Sequence, residues 1–194
     1  MNTTRVLPII ILLVLISLTG GLYYAGKHLR PQPPGGDFSL HGVDGLRSLS
    51  DFRGKWVVLY FGFTACPDAC PTNLAMWAHA FGKFPAAQQE QLRLVFISVD
   101  PERDSPSHLA EYAGHFHPHF VGVTGDHEQL TDVATRYGAR YQRVALTSAM
   151  GYTIDHTSYS YLINPTGQLV RMFTDSSSIA EREEALRMAF QSGL

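Results

Sequence analysis

The run Trp56-Val57-Val58-Leu59-Tyr60-Phe61-Gly62-Phe63 is apolar almost without interruption, and no other segment limits the possible folds so sharply. A strand with one wet face alternates apolar and polar residues, whereas an unbroken run must be covered on both faces. The run therefore predicts a central strand between two layers. It leads into Thr64-Ala65-Cys66-Pro67-Asp68-Ala69-Cys70-Pro71, and the following TNLAMWAHAFGKF places Leu74, Trp77, Ala78 and Phe81 on one helical face. Pro71 suits the first turn of that helix. The only two thiols of the chain thus fall at a strand-to-helix junction, flanked by residues that suit an exposed turn.

The remaining pattern alternates. Leu92 to Val99 reads as a second buried strand ended by Asp100-Pro101, which brings Asp100 to the same sheet edge as the cysteines. Ser107 to Ala113 is helical, Phe120 to Val123 a strand, and Asp126 to Tyr137 a helix ended by Gly138. Tyr159 to Ile163 and Gln168 to Phe173 flank the turn Asn164-Pro165-Thr166-Gly167. Ser177 to Phe190 closes the chain as an amphipathic helix with Ile179, Ala185, Leu186 and Phe190 apolar. Ahead of the core, Phe38 and Leu40 precede an Asp44-Gly45 turn, and Leu46 to Leu49 can pair back as a small hairpin. A βαβ start with a hairpin and helix at the end predicts an α/β, thioredoxin-like fold: a central mixed sheet flanked by helices. The stretch from Gly138 to His156 is longer than an ordinary connection. Tyr141-Gln142-Arg143-Val144 and Gly151-Tyr152-Thr153-Ile154 are expected to pair there as an inserted hairpin.

Before the domain, residues 6–26 carry no charge, and a helix of roughly 20 residues at about 1.5 Å each spans a bilayer core. The expected organisation is a short N-terminus (1–5), a transmembrane anchor (6–26), a Pro/Gly tether (27–36) and one folded domain (37–194). Arg5 and the terminal amine on one side tie with Lys27 and Arg30 on the other, so charge alone leaves the orientation open. A formal net charge of −2 without a basic cluster argues against a nucleic-acid partner.

A C-x3-C pair in a first helical turn can cycle between dithiol and disulfide or bind a soft metal through thiolates. Unpaired N–H groups at the helix start favour the thiolates of Cys66 and Cys70. Asp68 between them opposes that effect, so its expected role is to cap the turn through its carboxylate. Two thiolates suffice for Cu(I), while Cu(II) requires a further nitrogen or oxygen donor. His156, in Tyr152-Thr153-Ile154-Asp155-His156-Thr157-Ser158, is the candidate, although a histidine before a strand taken alone reads as a loop residue. His115, His117 and His119 alternate in Gly114-His115-Phe116-His117-Pro118-His119-Phe120. As an extended segment they would share one face and collect metal adventitiously; as a solvated loop they would do nothing.

Taken together, Gly54-Lys55-Trp56, Tyr60-Phe61-Gly62-Phe63-Thr64, the Cys66 to Pro71 motif, Phe96 to Asp104, Gly122-Val123-Thr124-Gly125 and Asp155-His156 before Tyr161-Leu162-Ile163 resemble the Sco/SenC family. The family comprises copper-binding thioredoxin-fold proteins of cytochrome c oxidase assembly. The resemblance implies Cys66, Cys70 and His156 as copper ligands, for Cu(I) or Cu(II), and cytochrome c oxidase subunit II as the partner receiving copper for its copper A centre. It also implies a copper-donor chaperone and a thiol reductant upstream, and a single-pass anchor in the cytoplasmic membrane with the domain facing the periplasm. Ala65 stands where many members carry histidine. Ser158 stands where thioredoxin-like reductases carry a cis-proline, a difference that tilts the site towards copper. The competing expectation is a thiol-disulfide oxidoreductase using Cys66 and Cys70 as its redox pair, to reduce the oxidase cysteines or protect against oxidants.

Overall fold

The computed structural model describes residues 33–192 together with Ile16, Ser17 and Thr19. The N-terminus 1–5, most of the expected anchor 6–26 and the tether up to residue 32 lie outside the described residues. Ile16, Ser17 and Thr19 are helical, with Thr19 Oγ1 donating to the Ile16 carbonyl at 3.1 Å. No helix among the described residues is long and apolar enough to cross a membrane.

The chain from Pro34 onward forms a unit of its own. The expected hairpin comprises β1 (Ser39–Gly42) and β2 (Gly45–Ser48), and a 3-10 turn over Leu49–Phe52 buries Leu49 and Phe52 on the way inward. β3 (Trp56–Gly62) follows with every residue buried, as an unbroken apolar run requires. Next come α1 (Ala69–Gly82), the short α2 (Ala86–Gln89), β4 (Leu92–Ser98), α3 (Pro106–Phe116), β5 (Phe120–Val123) and α4 (His127–Tyr137). The long connection pairs as predicted: β6 (Tyr141–Ala145) lies antiparallel to β7 (Tyr152–His156), with Tyr141 opposite His156. β8 (Ser160–Ile163), β9 (Leu169–Phe173) and α5 (Ile179–Gln191) complete the domain.

The main sheet has the order β5-β4-β3-β8-β9, and β6-β7 is a separate two-stranded sheet. β3, β4 and β5 run parallel because α1 and α3 supply the crossovers that parallel strands need, whereas β8 and β9 return antiparallel through a tight turn. The mixed α/β architecture expected from the element order is therefore the observed one.

Local chemistry explains the helix ends. Asp126 and Gln129 form a reciprocal capping box at the start of α4, and Gly138 ends it at φ 66°, a left-handed position that glycine takes without a Cβ penalty. α3 runs on past Ala113 to Phe116, which takes His115 into its last turn. The three alternating histidines therefore do not share one extended face, nor lie all in a loop, since His115 is helical while His117 and His119 follow the helix.

One buried residue escaped the pattern. Arg182 sits in α5 without solvent exposure, donating through Nη2 to Asn73 Oδ1 at 2.8 Å and stacking 4.9 Å from the Trp77 ring of α1. Burial pushes its guanidinium down to about 10, so it stays charged at neutral pH and needs those partners.

Candidate metal centre

The site begins where β3 ends. A Cβ on Gly62 would lie 2.7 Å from Cys70 Sγ and 2.7 Å from the Phe96 ring, so only glycine lets the strand pass beneath that sulfur. A Gly62→Ala protein should lose about 1–3 kcal/mol of stability through this overpacking and displace the Cys70 sulfur. Urea denaturation together with Cu(II) titration would check it, and wild-type behaviour in both would refute the close-packing argument.

Cys70 lies in the first turn of α1 and is fully buried; Cys66 is half-buried in the loop before it. The expectation that both sulfurs occupy the first helical turn is corrected for Cys66. Pro67 biases the residue before it away from helical backbone, so the helix cannot begin there. The Cys66 sulfur instead accepts the Cys70 backbone N–H at 3.4 Å, taking up one of the unpaired donors of the helix start. Asp68 occupies the N-cap position but caps nothing with its carboxylate, which accepts from Thr72 Oγ1 at 3.2 Å. Its expected capping role is therefore also corrected: the sulfur does that work.

His156 is the last residue of β7. Its Nε2 lies 3.4 Å from Cys70 Sγ, and its Nδ1 lies 3.2 Å from the Thr157 carbonyl. A carbonyl only accepts, so Nδ1 carries the proton and the Nε2 lone pair is left facing the sulfurs, the arrangement a metal-binding imidazole needs. The ring stands edge-on to Phe63 at 5.7 Å and to Tyr60 at 6.4 Å, which walls it with aromatic surface. The donor atoms of Cys66, Cys70 and His156 all lie within 4.8 Å of one another, the one such grouping of three or more metal-ligating side chains among the described residues.

The two thiols share a proton unequally. Cys66 is pushed down to about 3, chiefly by the hydrogen bond from the Cys70 side chain, with help from the Asp68 and Cys70 backbone N–H groups. Cys70 is pushed up, chiefly by that same bond and then by burial. The metal-free reduced site thus holds a thiolate at Cys66 and a thiol at Cys70, and binding a metal through both must release a proton. Iodoacetamide at pH 5 should accordingly alkylate Cys66 and spare Cys70. Peptide mass mapping that found the two labelled equally would contradict this assignment.

Behind the ligand-bearing loops lies a support that pattern reading missed. Asp104, fully buried, accepts from the Thr64 backbone N–H at 2.9 Å, from Thr64 Oγ1 at 2.5 Å and from Ser98 Oγ at 2.5 Å. Asp100, expected at this edge and buried there, accepts from the Tyr152 hydroxyl at 2.7 Å and from Arg103 Nε. Two carboxylates just beyond a buried strand were the signal available for both. Ala65 packs half-buried against the core, and the Tyr60 hydroxyl, which Ser158 neighbours, donates to the Ala69 carbonyl at 3.4 Å. There is no cis peptide bond among the described residues.

His117 and His119 belong to no metal-ligating cluster among the described residues. His117 Nδ1 accepts the His119 backbone N–H at 3.2 Å, and His119 faces Glu90 at 3.7 Å. Burial, with the positive charge of Arg93, pushes both imidazoles down. On its open side His156 lines a groove of about 740 Å³, shared with His127, Thr131, Arg140, Gln142 and Asp155. Two sulfurs and one imidazole nitrogen form a soft, three-donor set, half-accessible through Cys66. It can hold a thiophilic metal with a coordination position to spare, or exchange disulfides.

The SCO1/SenC family model matches residues 26–191. The SCO2-like protein RC0895 of Rickettsia conorii is 36% identical over 200 residues, covering 95% of this chain and 97% of its own. Among solved structures, Arabidopsis thaliana ScoI with copper bound is 34% identical with a TM-score of 0.75, covering 81% of this chain and 98% of that one. Yeast Sco1 with copper bound is 29% identical with a TM-score of 0.73, covering 84% and 90%.

Proposed function

The chain belongs to the SCO1/SenC family, and from that premise we propose that it is a copper metallochaperone carrying its cargo on Cys66, Cys70 and His156. The observation that carries the reading is the convergence of two sulfurs and an unprotonated imidazole nitrogen within 4.8 Å, on three separate segments of the fold. The copper-bound Sco structures among its relatives support copper as the metal. Two thiolates suit Cu(I), and the imidazole supplies the nitrogen donor that Cu(II) requires.

Residues 6–26 anchor the chain in the cytoplasmic membrane with the domain on the periplasmic side. Tethering raises the effective concentration of the site near an integral-membrane recipient. That recipient is subunit II of cytochrome c oxidase, whose incoming thiolates displace the donors one at a time to fill the copper A centre. The half-accessible Cys66 is the natural first point of exchange. Titration of the reduced full-length protein in detergent with Cu(II) tests the reading. One equivalent should develop an intense thiolate-to-copper absorption that Cys66→Ala and Cys70→Ala each abolish. If copper merely oxidises the two thiols to a disulfide, the chaperone reading fails.

A second reading draws on the Cys66 thiolate beside the Cys70 thiol. Cys66 attacks a partner disulfide and forms a mixed disulfide, whereupon Cys70 displaces the partner and leaves it as a dithiol. The chain then holds the Cys66–Cys70 disulfide and needs a thiol reductant to return. This reaction has no use for His156, which is where the two readings part.

A further inference from the structure

The segment Val99 to Asp104 holds both arms of the site. Asp104 grips Thr64, two residues before Cys66. Asp100 and Arg103 grip Tyr152, four residues before His156 on the same strand. The grip on Tyr152 is made three ways. Its hydroxyl donates to Asp100 Oδ1 at 2.7 Å, its carbonyl accepts from Arg103 Nη1 at 3.2 Å, and its ring lies between two guanidinium groups. Arg103 stands 3.8 Å from the ring centre on one side, and Arg143, from β6, 3.6 Å away on the other. Asp100 is buried and takes Arg103 Nε on its second oxygen, so both groups that hold Tyr152 are themselves held. Glu102 adds an ion pair to Arg143 at 3.7 Å.

The strand that Tyr152 secures is otherwise held by Ile154, buried in the core, and by bonds between Arg140 and Thr157 at the base of the hairpin. β6 and β7 form a sheet of their own, and Gln142 to Gly151 is exposed throughout. A lone two-stranded hairpin is at best marginally stable in water, so side-chain ties such as the Tyr152 clamp add to these few anchors in fixing where this one rests. Yet it carries one of the three donors.

We propose that Tyr152, clamped by Asp100, Arg103 and Arg143, is the positioning residue for His156: it docks the hairpin so that the imidazole reaches the cysteines. With the clamp closed the site offers three donors and accepts Cu(II); with it open only the two sulfurs remain, a set suited to Cu(I). The inference rests on the copper reading above and deepens it by assigning control of the third donor.

The test uses full-length protein in detergent, with Tyr152→Leu and Tyr152→Phe made alone and in combination with His156→Ala. Affinities for Cu(II) and Cu(I) are read by competition titration, and nitrogen coupling by electron paramagnetic resonance. Tyr152→Leu should weaken Cu(II) binding about 10–100-fold, the usual effect of losing a group that orients a ligand, and diminish the nitrogen coupling. Cu(I) binding should be nearly unchanged. Tyr152→Phe keeps the stacked ring and loses only the bond to Asp100, so it should fall between Tyr152→Leu and wild type and carry the test if the leucine variant folds poorly. In the His156→Ala background neither change should weaken Cu(II) further, because the positioned group is gone. Without metal, amides of β7 should exchange hydrogen faster in Tyr152→Leu while those of β3 stay as in wild type. An unchanged Cu(II) affinity, or a loss equally large in the His156→Ala background, overturns the assignment. If His156→Ala alone binds Cu(II) as wild type does, the three-ligand copper reading itself falls, and the clamp's role in copper binding falls with it.

Discussion

Replacing His156 with alanine should weaken Cu(II) binding on the order of 10²- to 10³-fold. The figure comes from dividing the roughly 10–16 kcal/mol of a four-ligand metal site evenly among its ligands. No other metal-ligating side chain stands ready to replace it, since Cys66, Cys70 and His156 are the one such cluster among the described residues. Cu(I) should be retained far better, because both sulfurs remain and two thiolates satisfy it. Cysteine chemistry should survive as well. The strongest influence on the Cys66 thiolate is the bond from Cys70, not its contact with His156, so exchange with a small disulfide should proceed at close to the wild-type rate. The variant therefore separates the two readings of the protein in cells. A strain carrying it should lose copper from the copper A centre if the chain delivers Cu(II), and should assemble the oxidase normally if the chain works as a thiol reductant. Full assembly with His156→Ala would move the conclusion to the second reading.

Replacing Asp104 with alanine should cost on the order of 3–5 kcal/mol of folding stability. Three donors, the Thr64 N–H, Thr64 Oγ1 and Ser98 Oγ, all turn on this one buried carboxylate, and each stranded donor costs about 1–3 kcal/mol before local relaxation. At about 2–4 °C per kcal/mol for a chain of this size, the melting temperature should fall by roughly 6–20 °C. Asp104→Asn keeps one acceptor oxygen and should lose less than half as much. The damage should also reach the metal centre, because Thr64 lies two residues from Cys66 and its backbone is fixed by the lost bond. Urea denaturation of the metal-free protein decides the matter. A loss under about 1 kcal/mol for Asp104→Ala would mean that water takes over the carboxylate's role.

Much of the layout was legible because it follows from short-range rules. The apolar run from Trp56 to Phe63 could only be a strand covered on both faces, and it is the middle strand of the sheet. Asp126 and Gly138 bracket α4 through capping and a left-handed turn, both properties of single residues. The hairpin of β6 and β7 was legible because the stretch from Gly138 to His156 is too long for an ordinary connection.

Where expectation and structure part, the deciding interaction comes from elsewhere in the chain or from a neighbouring residue with a competing demand. Asp68 occupies the capping position, but the Cys66 sulfur reaches the Cys70 N–H first. Arg182 carries a charge in a helix expected to turn its polar residues to water, yet Asn73 and the Trp77 ring, more than a hundred residues earlier, provide a partnered place inside. Asp104 and Tyr152 carried no role of their own in the sequence pattern until folding placed them against Thr64 and Asp100.

The sequence by itself determined the order of strands and helices, the strand-to-helix junction that holds the thiols, and which residue types could meet a metal, because periodicity, caps and side-chain chemistry are local. Only the tertiary structure decided that His156 meets Cys70 across 86 positions, that its Nε2 is the free nitrogen, and that buried carboxylates hold both arms in place. Those outcomes depend on which distant groups lose their water to one another, and burial of that kind is settled by the packing of the whole domain.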